Sequence, residues 1–129
     1  MKFAVAAVAL LAGGVILAQE TPEPKPQFFS AKCAGGDCVL LKGAPQTSGM
    51  RGGAVKLAPK ESIGWHSTND NEEALTILRG NGVAHIEGGA DMALSENSIL
   101  YIPPRTRHNV TNTGELPLEY VWIVAPVRR

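Results

Sequence analysis

The apolar positions of this chain fall in short runs separated by turn residues. Runs at 39–41, 53–58, 62–66, 74–79, 83–87, 92–94, 98–102, 107–111 and 118–125 alternate with stretches such as Gly-Ala-Pro-Gln-Thr-Ser-Gly, Gly-Asn-Gly and Asn-Thr-Gly-Glu. Strands of this length at this spacing predict an all-β sandwich or barrel. After residue 18 no stretch carries the helical period over a useful length. The expected architecture is an antiparallel, double-sheet jelly-roll barrel whose mouth holds a small ligand.

A period of two assigns side chains to faces. Glu73 opens the strand predicted at 74–79, with Leu75 and Ile77 on its side, while Glu72 points the other way. Upstream, His66 and Thr68 share a face, and Asn69, Asp70 and Asn71 are turn formers. A strand ending in His and a return strand starting with Glu can bring both side chains to one spot. The stretch 101–112, Tyr-Ile-Pro-Pro-Arg-Thr-Arg-His-Asn-Val-Thr-Asn, adds His108 at the mouth of another hairpin. Two imidazoles and one carboxylate make a metal-ligand set. His85, with Val83 and Glu87 on its face, either points inward as a replacement ligand or, the commoner case, is an exposed strand residue.

These two stretches resemble the motifs of the cupin family. The first is Gly, five residues, His-x-His, three or four residues, Glu, six residues, Gly; His66, Glu73 and Gly80 fall on it. The second is Gly, five residues, Pro-x-Gly, two residues, His, three residues, Asn; Pro103, His108 and Asn112 fall on it. The spacing to Gly80 favours Glu73 over Glu72. Thr68 stands where the family has its second His, and Lys60, Asn97 and Arg105 stand at three glycine positions. A turn needing positive φ costs a non-glycine residue about 1–2 kcal/mol, least for Asn. Lys60 and Arg105 therefore imply local strain or a different turn.

The resemblance implies a divalent metal at His66, Glu73 and His108, with Fe, Mn, Zn, Ni and Cu all open. It implies either a dioxygenase-like or isomerase-like enzyme acting on a small organic molecule, or a non-catalytic module without metal that binds a sugar or other small ligand. It leaves homodimerisation open, since cupins often pair through a barrel face. Arg105 and Arg107 flank His108; they either hold an anionic substrate or sit in a solvated loop. Trp65, Tyr101, Tyr120 and Trp122 are expected in the core or at the rim.

The first residues read differently. Lys2 is followed by an apolar or small run to Leu17, then Ala18, Gln19 and Glu20. This predicts a signal peptide over 1–18 and a secreted or periplasmic location. The run is shorter than the ~20 apolar residues of a membrane span, so no stable membrane insertion is expected after cleavage. Residues 19–32 contain Thr-Pro-Glu-Pro-Lys-Pro and predict an extended linker, with Phe28 and Phe29 docking where a single domain over 33–129 begins. Twelve basic residues balance twelve acidic ones, and aromatics make up 5%. With no basic block, nucleic acid is not an expected partner. Cys33 and Cys38 bracket Ala-Gly-Gly-Asp. In an exported chain they predict a disulfide; the spacing of a redox Cys-x-x-Cys pair is absent, and no His sits nearby for a soft-metal site.

Overall fold

The computed structural model describes residues 9–10 and 12–128. The leader expected over 1–18 lies partly outside the described residues, and its described part is neither helix nor strand. Among the described residues no helix is long and apolar enough to cross a membrane.

Eight strands follow: β1 (Gly36–Lys42), β2 (Arg51–Leu57), β3 (Asn71–Arg79), β4 (Gly82–Ile86), β5 (Met92–Leu94), β6 (Ser98–Ile102), β7 (His108–Asn112) and β8 (Leu118–Pro126). One sheet has the order β1-β2-β8-β3-β6 and the other β5-β4-β7, and every pairing is antiparallel. This is the expected double-sheet jelly-roll. Alternation places Leu75 and Ile77 of β3, Val55 and Leu57 of β2, and Leu118, Tyr120 and Val124 of β8 on one buried face. Ala84 of β4 and Val110 of β7 meet them from the other sheet.

The strand expected at 62–66 does not form. That segment runs along β7 and touches it through two isolated bridges, Ser62 with Thr111 and His66 with His108. Gly64 breaks the ladder: its φ is 103°, and its N–H donates to the Asn109 side-chain Oδ1 at 2.9 Å instead of to a backbone carbonyl. The pairing therefore slips by one residue between the two bridges, in the manner of a β-bulge. Without the slip Trp65 would face inward. With it, Trp65 is 46% exposed and His66 turns toward His108.

Lys60, Asn97 and Arg105 all keep the left-handed backbone, with φ of 72°, 61° and 56°. The turns that the family builds with glycine are thus retained, at the steric cost expected for Lys and Arg. Phe28 does not dock; it is 93% exposed, and the linker instead touches the domain through Gln27, whose amide donates to the Gln46 carbonyl at 2.9 Å. Cys33 and Cys38 form the expected disulfide.

Candidate metal centre

Five segments build the site. The 62–66 segment brings His66, β3 brings Glu73, β7 brings His108, and β2 with β8 lines the opposite wall. They enclose a cavity of about 270 Å³. Glu73 and His108 are 5% and 0% exposed. Glu72 lies on the outer face, where its carboxylate accepts a hydrogen bond from the Tyr101 hydroxyl at 3.1 Å. Ligand atoms of His66, Glu73 and His108 all lie within 4.8 Å of one another, and the two imidazole rings meet edge-on at 4.3 Å.

The hydrogen bonds fix which ring nitrogen faces the cluster. His66 Nδ1 lies 2.8 Å from the Gly64 carbonyl and His108 Nδ1 lies 2.9 Å from the Thr106 carbonyl. A carbonyl oxygen only accepts, so each Nδ1 carries the proton and each neutral ring keeps its lone pair on Nε2. Metal-binding histidines are held in this way, with the second nitrogen donating to a backbone carbonyl.

His108 Nε2 and Glu73 Oε2 face each other at 3.2 Å, yet neither has a hydrogen-bond partner of acceptable geometry. Burial pushes the His108 imidazolium down, but the Glu73 carboxylate and the Thr106 carbonyl outweigh it, so its pKa lies above the ordinary imidazole value. Two buried acceptors aimed at each other are costly unless a proton or a metal cation lies between them. The donor set and its buried orphan atoms fit a divalent ion.

The other anticipated residues are distributed as follows. Thr68 lines the cavity, and its hydroxyl is spent on the Asn71 carbonyl at 3.1 Å. His85 lies away from the cluster, paired with Asp91 at 3.1 Å. Arg105 pairs with Asp70 at 3.0 Å. Arg107 pairs with Glu87 at 3.1 Å and lies over the Trp65 ring. Neither arginine lines the cavity. Of the four large aromatics, Tyr120 and Trp122 line it, whereas Trp65 and Tyr101 face outward. Tyr120 is held strongly toward its neutral phenol by burial, with the charges of Glu73 and Asp37 adding to the effect.

Arg51 and Asp37 also line the cavity and were not anticipated. Trp122 Nε1 donates to Asp37 Oδ1 at 2.8 Å. The indole lies across Gly53, where an added Cβ would come within 2.9 Å of the ring and 2.5 Å of the Cys38 carbonyl. A side chain at position 53 would therefore displace the cavity wall. The inward parity of Trp122 with Tyr120 and Val124 was a usable signal; Arg51 has none, because only the pairing of β2 with β8 carries it to the site.

A small antiparallel β-sandwich with two histidines and a glutamate at its mouth defines a class of ligand-binding and metal-binding barrels. The chain belongs to the cupin family: the Cupin domain model matches residues 53–124, more than half of its length. It is 28% identical over 86 residues to the oxalate-binding protein of Thermotoga maritima, covering 67% of this chain and 70% of that protein. It is 28% identical over 81 residues to the tetracenomycin polyketide synthase protein TcmJ of Streptomyces glaucescens, covering 63% of this chain and only 53% of that one. A Bacillus halodurans protein of known structure superposes with a TM-score of 0.70 at 20% identity, covering 82% of this chain and 85% of that chain. That last likeness concerns the fold alone.

Proposed function

We propose that the protein holds a divalent metal ion at His66, Glu73 and His108 and binds a small organic molecule in the cavity beside it. The observation that carries this reading is the buried pair Glu73 Oε2 and His108 Nε2, 3.2 Å apart and without hydrogen-bond partners. Both imidazoles spend Nδ1 on a backbone carbonyl and keep Nε2 for the cluster. The donor set suits Fe, Mn, Zn, Ni or Cu. Such an ion would polarise an oxygen of a bound ligand. Dioxygenase-like or isomerase-like chemistry is the reading favoured by the open site that Thr68 leaves. The likeness to an oxalate-binding protein supports a second reading, a module that binds without turnover. Elemental analysis of protein purified from its own compartment tests the metal. About one equivalent is expected; no metal, together with no thermal shift on adding Fe(II), Mn(II) or Zn(II), refutes it.

We also propose that the chain is exported, consistent with its disulfide, and that the mature form begins near Gln19. Intact mass with and without reductant checks both points. A chain starting at Met1, or two alkylatable thiols before reduction, contradicts them.

A further inference from the structure

The cavity that holds the His66, Glu73 and His108 cluster has one further cationic side chain in its wall, Arg51. Lys56, Arg79, Arg105 and Arg107 are all in ion pairs, whereas the Arg51 guanidinium has no ion-pair or hydrogen-bond partner among the described residues. Its stem is nevertheless placed: Gly43, at φ 86°, leaves the room that it occupies, and a Cβ there would lie 3.4 Å from Arg51 Cγ.

The register fixes where this group stands. Arg51 on β2 pairs with Val124 on β8, and Val124 pairs with Glu73 on β3. The three form one row across adjacent strands, with their side chains on the same face. Arg51 and Glu73 are thus two strand spacings apart, about 9–10 Å between backbones, with the cavity over the row. Carboxylates are present too, at Glu73 and at Asp37, where one oxygen takes the Trp122 indole proton. With a divalent ion on the cluster, the ion and Arg51 together outweigh these two carboxylates. An anionic ligand then offsets the excess positive charge of the cavity.

We infer that Arg51 selects the ligand: the cavity takes a small carboxylate whose anionic group lies at the Arg51 guanidinium while the rest of the molecule reaches toward His66, Glu73 and His108. A guanidinium presents a planar fork of donors that matches a carboxylate two bonds at a time. An unpaired arginine in a concave wall is the group that such a ligand completes. This deepens the reading of the cavity as a metal-bearing ligand site and rests on it for the charge balance.

Calorimetric titration with malonate, and with malonamide as its uncharged counterpart, tests the inference on the full-length mature protein. It is run on metal-loaded and metal-stripped samples of the native chain, Arg51→Gln and Arg51→Lys, with metal content measured in each. Native protein is expected to bind malonate and to discriminate against malonamide. Arg51→Gln should lose roughly 10- to 100-fold in malonate affinity, the range for a hydrogen bond to a charged partner. Arg51→Lys should recover part of that loss, because it restores the charge without the fork. Metal content and melting temperature should stay native in both variants, since Arg51 is exposed and makes no hydrogen bond or ion pair with His66, Glu73 or His108. Equal malonate affinity in native protein and Arg51→Gln overturns the inference, as does native protein that binds malonate and malonamide alike or binds neither. A native sample that takes up no metal refutes the metal reading instead, and the comparison of Arg51 variants in that sample is still read for the carboxylate.

Discussion

Glu73→Gln is expected to abolish the gain in melting temperature that added metal should give the native protein, and Glu72→Gln to leave it intact. The two residues are neighbours of the same type on β3, but only Glu73 faces the cluster, and Glu72 is engaged with Tyr101 outside. A ligand present at 100 times its Kd stabilises the folded state by about 2.7 kcal/mol. For a domain of this size that is a gain of roughly 10–20 °C. Losing one of three ligands should weaken binding more than the ~10- to 100-fold cost of losing an outer-shell partner, so little of the gain should survive in Glu73→Gln, His66→Ala or His108→Ala. Glu73→Gln is the most informative of these, because it separates metal binding from folding. Its side-chain amide can donate to the Nε2 lone pair of His108, which has no partner in the native chain. At a pH where His108 is neutral, the metal-free variant should therefore melt no lower than metal-free native protein. A full metal response in Glu73→Gln, or its loss in Glu72→Gln, would show that the wrong carboxylate has been assigned.

The same pair sets opposite pH dependences with and without metal. The pKa of His108 in the folded metal-free protein lies above its unfolded value. Its contribution to stability is therefore fully present below the ordinary imidazole pKa and is lost as pH rises through the folded value. Metal needs the neutral ring, so the stabilisation from added ion should grow over the same rise in pH.

Much of the fold could be read directly because one face of each strand is buried and the period of two is strict. Leu75 and Ile77 point inward with Glu73, and it is the six-residue gap to Gly80 that favours Glu73 over Glu72 in the sequence. The segment 62–66 reads as a strand in the sequence because its apolar residues and its distance from the preceding turn look like one. The hydrogen bond from the Gly64 N–H to Asn109, which breaks the ladder, joins residues far apart in the chain. His66 reaches the cavity because of that break. Arg105 and Arg107 lie within three residues of His108 in sequence, which makes them candidates for an anion site. Their acidic partners, Asp70 and Glu87, lie on other hairpins and become visible only in the folded chain. Arg51 shows the converse: it precedes the apolar positions of β2 and is remote in sequence from every motif, yet the sheet order places it in the row with Glu73.

Asn112→Asp should be among the most destabilising isosteric changes available in this chain. Asn112 ends β7 in the smaller sheet and is fully buried. Its Nδ2 donates to the carbonyls of Leu57 and Leu116, each at 2.9 Å, and its Oδ1 accepts the Gly114 N–H at 2.9 Å. Leu57 ends β2 in the larger sheet, so one amide joins both sheets and the turn before β8. Aspartate keeps the shape and the acceptor but replaces the two-proton donor with an oxygen facing two carbonyls. If ionised, it is a buried charge without a partner, which costs about 3–5 kcal/mol. If protonated, it satisfies one carbonyl and leaves the other unpaired, at about 1–3 kcal/mol. At neutral pH a loss of roughly 3 kcal/mol or more lowers the melting temperature by about 10–20 °C in a domain of this size. Because the buried acid is easier to accommodate when neutral, the deficit relative to native protein at the same pH should narrow as pH falls. Thermal melts of both chains at neutral and mildly acidic pH measure this. An Asn112→Asp variant that melts within about 2 °C of the native chain at pH 7 would mean that this amide does not hold the two sheets together.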